Sequence, residues 1–124
     1  MWQRRAFLKA AGAGFAAGLL PRGAEALEAA ELVLASSIQR ADGGYGATLV
    51  SERGTLIANI ELPDRGHDIS FARDGSQAVV FARQPGTFAV VFDPQGKRPA
   101  QTLAAVEGRH FFGHGAFSAD GRLL

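Results

Sequence analysis

The stretch Gly66 to Ser76 reads GHDISFARDGS, and a looser copy, GHGAFSADG, runs from Gly113 to Gly121. Phe71, Asp74 and Gly75 return as Phe117, Asp120 and Gly121, each 46 residues on, while Gly66 and His67 return as Gly113 and His114, 47 residues on. Self-similarity at a fixed period constrains a chain more than composition does. Each copy must form the same supersecondary unit and bury its faces against its neighbours.

The unit can be read between the two copies. Asp68 to Ala72 (DISFA), Gln77 to Arg83 (QAVVFAR), Thr87 to Asp93 (TFAVVFD) and Ala100 to Val106 (AQTLAAV) are short, rich in Val and Phe, and separated by RDGS, QPG and PQGK. They predict four strands joined by tight turns. AVVFA and FAVVF are apolar at every position, so both faces of those strands must be covered; their length and flanking Gly and Pro argue against a helix. Upstream, Glu31 to Ser37, Gly46 to Ser51 and Thr55 to Leu62 predict three more strands, with GGYG at Gly43 to Gly46 as a hairpin turn. An all-β chain built of four-stranded antiparallel units with a period in the forties is expected to be a β-propeller. Residues 27–124 supply about two blades at that period, an incomplete ring. The expectation is therefore an N-terminal piece of a longer propeller, in which the three leading strands await a fourth from the other terminus.

Residues 1–26 read differently. Arg4 and Arg5 precede the weakly apolar stretch Ala10 to Leu20, and Ala24, Glu25 and Ala26 form a small-residue cleavage site, the layout of a signal peptide with a short helix. Eleven apolar residues make a helix of about 16 Å, too short to span a bilayer, so no permanent membrane span is expected. Arg4, Arg5, Phe7, Leu8 and Lys9 resemble the twin-arginine export signal, although Gln3 stands where that pattern has Ser or Thr. That resemblance implies a periplasmic bacterial protein handed to the twin-arginine translocase. Cleavage after Ala26 changes the formal charge from +1 to −2, which removes the electrostatic support a nucleic-acid partner needs. The chain has no cysteine, so disulfides, thiolate metal sites and a Cys nucleophile are excluded.

Phe117, Ser118, Asp120 and Gly121 resemble the FSxDG turn of WD-repeat and YVTN propellers, and Phe92 with Asp93 sits where WD repeats close their third strand with an aromatic-Asp pair. The segment from His67 to Phe71 is shorter than in a WD repeat, which marks a cousin of that group. PDRGHDISF, VVFARQPGTFAVVFD and EGRHFFGHGAFSADGRLL resemble a bacterial family known as domain of unknown function 1513, twin-arginine-exported periplasmic propellers. Members are commonly encoded beside imelysin-like iron-uptake proteins. The resemblance implies a role in iron-related envelope metal handling and no particular reaction.

His67 and His114 are expected in loops just before an innermost strand, where equivalent positions of successive blades point toward one axis and can converge on one ligand. His110 lies four residues before His114, and imidazoles are common metal ligands, so His67, His110 and His114 are candidate ligands for iron or another transition metal, with Asp64 and Asp68 able to add carboxylate oxygen. Arg109 completes the candidate ligand-binding set. In WD-like blades the corresponding His instead ties a loop to the next strand. Arg65, Arg73, Arg83 and Arg109 are open to an anionic ligand or to plain solvation, and Asp74 and Asp120 read as turn residues. No catalytic residue is assigned. Ligand or protein binding leads; a metal- or quinone-dependent oxidoreductase or lactonase-like enzyme and a bare interaction scaffold are the alternatives.

Overall fold

The computed structural model describes Leu27, Ala30 and residues 33–124; the export signal and cleavage-site expectations lie outside the described residues. Seven strands follow in chain order: β1 Val33–Gln39, β2 Tyr45–Ser51, β3 Leu56–Leu62, β4 Gly66–Phe71, β5 Ala78–Ala82, β6 Phe88–Phe92 and β7 Gln101–Ala104. All seven expected strands are present, displaced at their ends by one or two residues. They form two antiparallel meanders, one ordered β1-β2-β3 and one β4-β5-β6-β7, and the sheets do not close on themselves. Among the described residues no helix is long and apolar enough to cross a membrane.

The apolar runs sit where their pattern requires. Every residue of β5 is buried, and β6 is buried at all positions but Val91. Successive side chains leave a strand on opposite faces, so a strand apolar at every position feeds two cores. Ala78, Val80 and Ala82, with Phe88, Val90 and Phe92, pack against Ala47, Leu49, Ile57 and Leu62 of the first sheet. Val79, Phe81 and Ala89 face the other way, where Val91, Phe111 and Phe117 cover them. The edge strand β7 is largely exposed, as a strand with only one paired side and one covered face must be.

The two sheets approach each other tightly at Gly66. A Cβ there would lie 2.7 Å from Ser37 Oγ, 2.8 Å from Leu62 Cδ1 and 3.0 Å from Val80 Cγ2, so only glycine lets β4 approach the first sheet. Its counterpart Gly113 does the same in the next unit, since a Cβ there would stand 2.7 Å from His67 Cδ2.

The turn of the motif recurs in its second copy, although no strand forms beyond β7 among the described residues. Ala72 N–H donates to Gln77 O and Gly75 N–H to Ala72 O, both at 2.9 Å; 46 residues on, Ser118 N–H donates to Leu123 O at 2.9 Å and Gly121 N–H to Ser118 O at 2.8 Å. Gly75 and Gly121 take φ of 70° and 68°, the left-handed region that glycine occupies without strain. Asp74 and Asp120 are indeed turn residues. Asp74 Oδ1 accepts Ser76 N–H at 3.0 Å and Asp120 Oδ1 accepts Arg122 N–H at 3.2 Å, and Asp42 and Asp93 do the same for Gly44 and Gln95.

These bonds hold the carboxylate form, so all four groups titrate below the ordinary aspartate range: Asp42 through Gly44 N–H, Asp74 through Ser76 N–H, Asp93 through Gln95 N–H and then Arg98, and Asp120 through the Ser118 hydroxyl and then Arg122 N–H. A depressed folded-state pKa contributes stability above the unfolded value of about 3.9 and loses it as pH falls through the lower folded value. Asp93 is the buried member, at 8% exposure. Replacing Asp93→Asn should therefore flatten the fall in the urea midpoint as pH drops below about 4; an acid limb parallel to that of the parent would contradict this account.

Candidate functional site

The second meander begins with an irregularity. From Gly66 to Ile69 β4 advances three residues while β5 advances two, from Ala82 to Val80. One extra residue is thus accommodated at His67–Asp68. Such a bulge disrupts the local ladder and re-aims side chains, and it places His67 inside β4 rather than in the loop expected before it.

The C-terminal segment crosses this bulge. Phe111 N–H donates to Gly86 O at 2.7 Å, the Ser70 hydroxyl donates to the Gly115 carbonyl, and Gly115 lies so close to Phe81 that a Cβ would fall 2.2 Å from its Cζ. These contacts bring His114 onto β4. Its ring meets that of His67 edge to face, with centroids 4.8 Å apart and planes at 77°, and its Nδ1 lies 3.2 Å from Asp68 Oδ2. The two histidines of the repeat therefore converge, with the carboxylate of Asp68 beside them. All three are solvent-accessible; the His114 and Asp68 side chains are 68% and 42% exposed. A pair so hydrated contributes at most about 1 kcal/mol to stability. Its chemical effect is orientation: with Nδ1–H given to Asp68, the His114 Nε2 lone pair is left to accept a proton or a hydrogen bond.

The remaining expected residues stand apart from this pair. His110 packs on Phe112, with centroids 4.7 Å apart, and no hydrogen bond, ion pair or ring contact joins it to His67 or His114. Arg109 closes a turn through its N–H to Val106 O at 2.9 Å and makes no ion pair among the described residues. The three-histidine metal site of His67, His110 and His114 is consequently not assembled. Among the described residues no three His, Asp or Glu side chains are grouped to hold a metal ion. The physical cause is the loop: the Gly86–Phe111 bridge fixes its backbone, and the aromatic contact with Phe112 holds the His110 ring. Asp64 is also elsewhere engaged, accepting Arg65 N–H at 2.6 Å.

Asp68 had no role of its own in the repeat, because position 115, opposite it in the second copy, is glycine. The only sequence signal for it was its place beside His67. Replacing Asp68→Asn should shift the ring resonances of His114 and leave those of His110 unchanged while lowering stability by less than about 1 kcal/mol; equal shifts at both rings in an NMR spectrum would contradict the pairing.

No curated protein and no solved structure matches the chain. Residues 60–124 match the family described as Protein of unknown function (DUF1513), and this segment holds all of β4–β7, the bulge and both converging histidines. With half of its length matched, the chain belongs to that family.

Proposed function

We propose that this protein is an exported periplasmic binding protein built on a β-propeller plan, and that it binds a ligand or protein partner at the rim formed by His67, Asp68 and His114, without catalysing a reaction. The observation that carries this reading is the 4.8 Å contact between His67 and His114. Residues 47 apart in the chain meet because each follows the close-approach glycine of its own copy of the motif, as equivalent side chains of successive blades around an axis would. Recurrence of the turn hydrogen bonds 46 residues on, consecutive strand order and burial of β5 and β6 on both faces support the same plan.

Export by the twin-arginine route rests on Arg4, Arg5, Phe7, Leu8 and Lys9, and an iron-related envelope setting rests on the family resemblance alone. Arg109 and His110 lie on the same C-terminal segment as His114 and extend the surface on which a partner would rest. A second reading, a lactonase-like hydrolase, is favoured by the Asp68–His114 hydrogen bond, since an imidazole oriented by a carboxylate is suited to accept a proton from water.

The readings separate on one variant. His67 and His114 are exposed, so the double change His67→Ala/His114→Ala should leave the unfolding free energy within about 1 kcal/mol of the parent. Immobilised parent protein should retain a component of periplasmic extract from the source bacterium that the variant does not. Equal retention by both would overturn the binding site, and lactone hydrolysis lost on His114→Ala would transfer the site to the hydrolase reading. Stoichiometric iron in the parent, lost in the variant, would replace both with a metal-dependent role.

A further inference from the structure

We propose that Arg65 and Arg83 form a site for a small oxyanion, a carboxylate- or phosphate-bearing molecule, at the end of the second sheet. The starting point is register. Gly66 pairs with Ala82, and one step further Arg83 N–H donates to Arg65 O at 2.9 Å, so the two arginines stand opposite each other across the β4–β5 ladder. Cβ atoms of directly opposed residues are about 5 Å apart, and like charges placed so are destabilising.

Three arginines of the chain are paired with acids, whereas Arg73, Arg109 and Arg122 have no ion pair among the described residues. Arg40 pairs with Asp42 and Glu61, Arg53 with Glu52 and Arg98 with Asp93. Arg65 and Arg83 likewise have no ion pair among the described residues, and they differ from the other unpaired arginines in standing opposite each other in register. Both line one cleft with Gln84, Gly86 and Thr87. Asp64 also borders this cleft, but its Oδ1 is bound to Arg65 N–H at 2.6 Å, so its carboxylate is directed to backbone and not to a guanidinium.

The wall of the cleft is fixed before any ligand arrives. Gly86 folds against β5 so tightly that a Cβ would lie 2.2 Å from that of Ala82. Its carbonyl accepts Phe111 N–H at 2.7 Å, and the Thr87 carbonyl accepts Ala105 N–H at 2.8 Å, which anchors the loop to the segment beyond β7. A rigid wall reduces the ordering cost of binding. Two planar guanidinium forks present paired N–H donors that match the oxygens of a carboxylate or phosphate, with the Gln84 amide and Thr87 hydroxyl as uncharged donors alongside. The bound anion supplies the direct guanidinium ion pairs that the fold itself leaves unmade.

The test is a titration of the full chain with inorganic phosphate and, separately, with succinate, against chloride at matched ionic strength, reading the arginine Nε–Hε NMR signals. Saturable shifts at Arg65 and Arg83 with one or both oxyanions, and a Kd at least tenfold weaker in Arg83→Gln, are expected; the better of the two identifies the ligand class. Arg73→Gln, which removes an unpaired arginine at the far end of the sheet, should leave the Kd unchanged. Arg83→Glu should give Arg65 a partner, raise the urea midpoint in anion-free buffer and abolish saturation. His67→Ala/His114→Ala should retain the site, because neither imidazole lines it. Linear shifts equal to those with chloride, or the same weakening in Arg73→Gln as in Arg83→Gln, would overturn the proposal.

Discussion

Burial of β5 and β6 on both faces governs the rest of the structure. Val80 and Val90 belong to the core shared with the first sheet, whereas Val79 and Ala89, one step away in the chain, belong to the layer under Phe111 and Phe117. A strand apolar on alternate residues needs one neighbour; these strands need two. The first sheet supplies one layer and the C-terminal segment the other, so each layer holds its position partly because the central meander is apolar on the side it covers.

The Gly-His pair then acquires a physical meaning. Gly66 allows β4 to touch the first sheet at Ser37 and Leu62, and Gly113 allows the next segment to touch β4 at His67. In each copy the glycine permits the close approach and the histidine that follows stands at the seam it creates. The Ser37 hydroxyl meets the His67 carbonyl at 3.4 Å across the first seam, and the His114 ring meets that of His67 across the second. Spacing of the motif in the chain and stacking of the units in space are therefore one constraint, which is why a candidate site forms at the seam.

Much of this was legible in the sequence. Runs such as AVVFA and FAVVF are too short for helices and too apolar for a one-sided sheet, and the Gly, Pro and Asp between them fix the turns; strand existence was accordingly readable, and strand ends were not, because fraying by a residue costs little. The turn roles of Asp74 and Asp120 and the convergence of His67 with His114 followed from the 46- and 47-residue displacements. Three features did not follow. The bulge at His67–Asp68 depends on β4 meeting β5 out of step, a tertiary property with no local signature. The separation of His110 depends on Phe112 and on the bridge to Gly86, which sequence spacing alone does not reveal. The opposition of Arg65 and Arg83 depends on register beyond that bulge, and the positions of arginines along a chain cannot distinguish a facing pair from scattered charges.

Amide hydrogen exchange measures two-sided burial most directly, because protection reports how much of the fold must open before a given N–H meets water. Val79 to Phe81 and Ala89 to Val91 should be the slowest-exchanging amides of the chain, with free energies approaching that of global unfolding, while the exposed edge strand Gln101–Ala104 exchanges through local fraying. Exchange in β5 and β6 as rapid as in β7 would mean that one face is open to solvent, and the stacked arrangement, with the seam that joins its histidines, would be wrong.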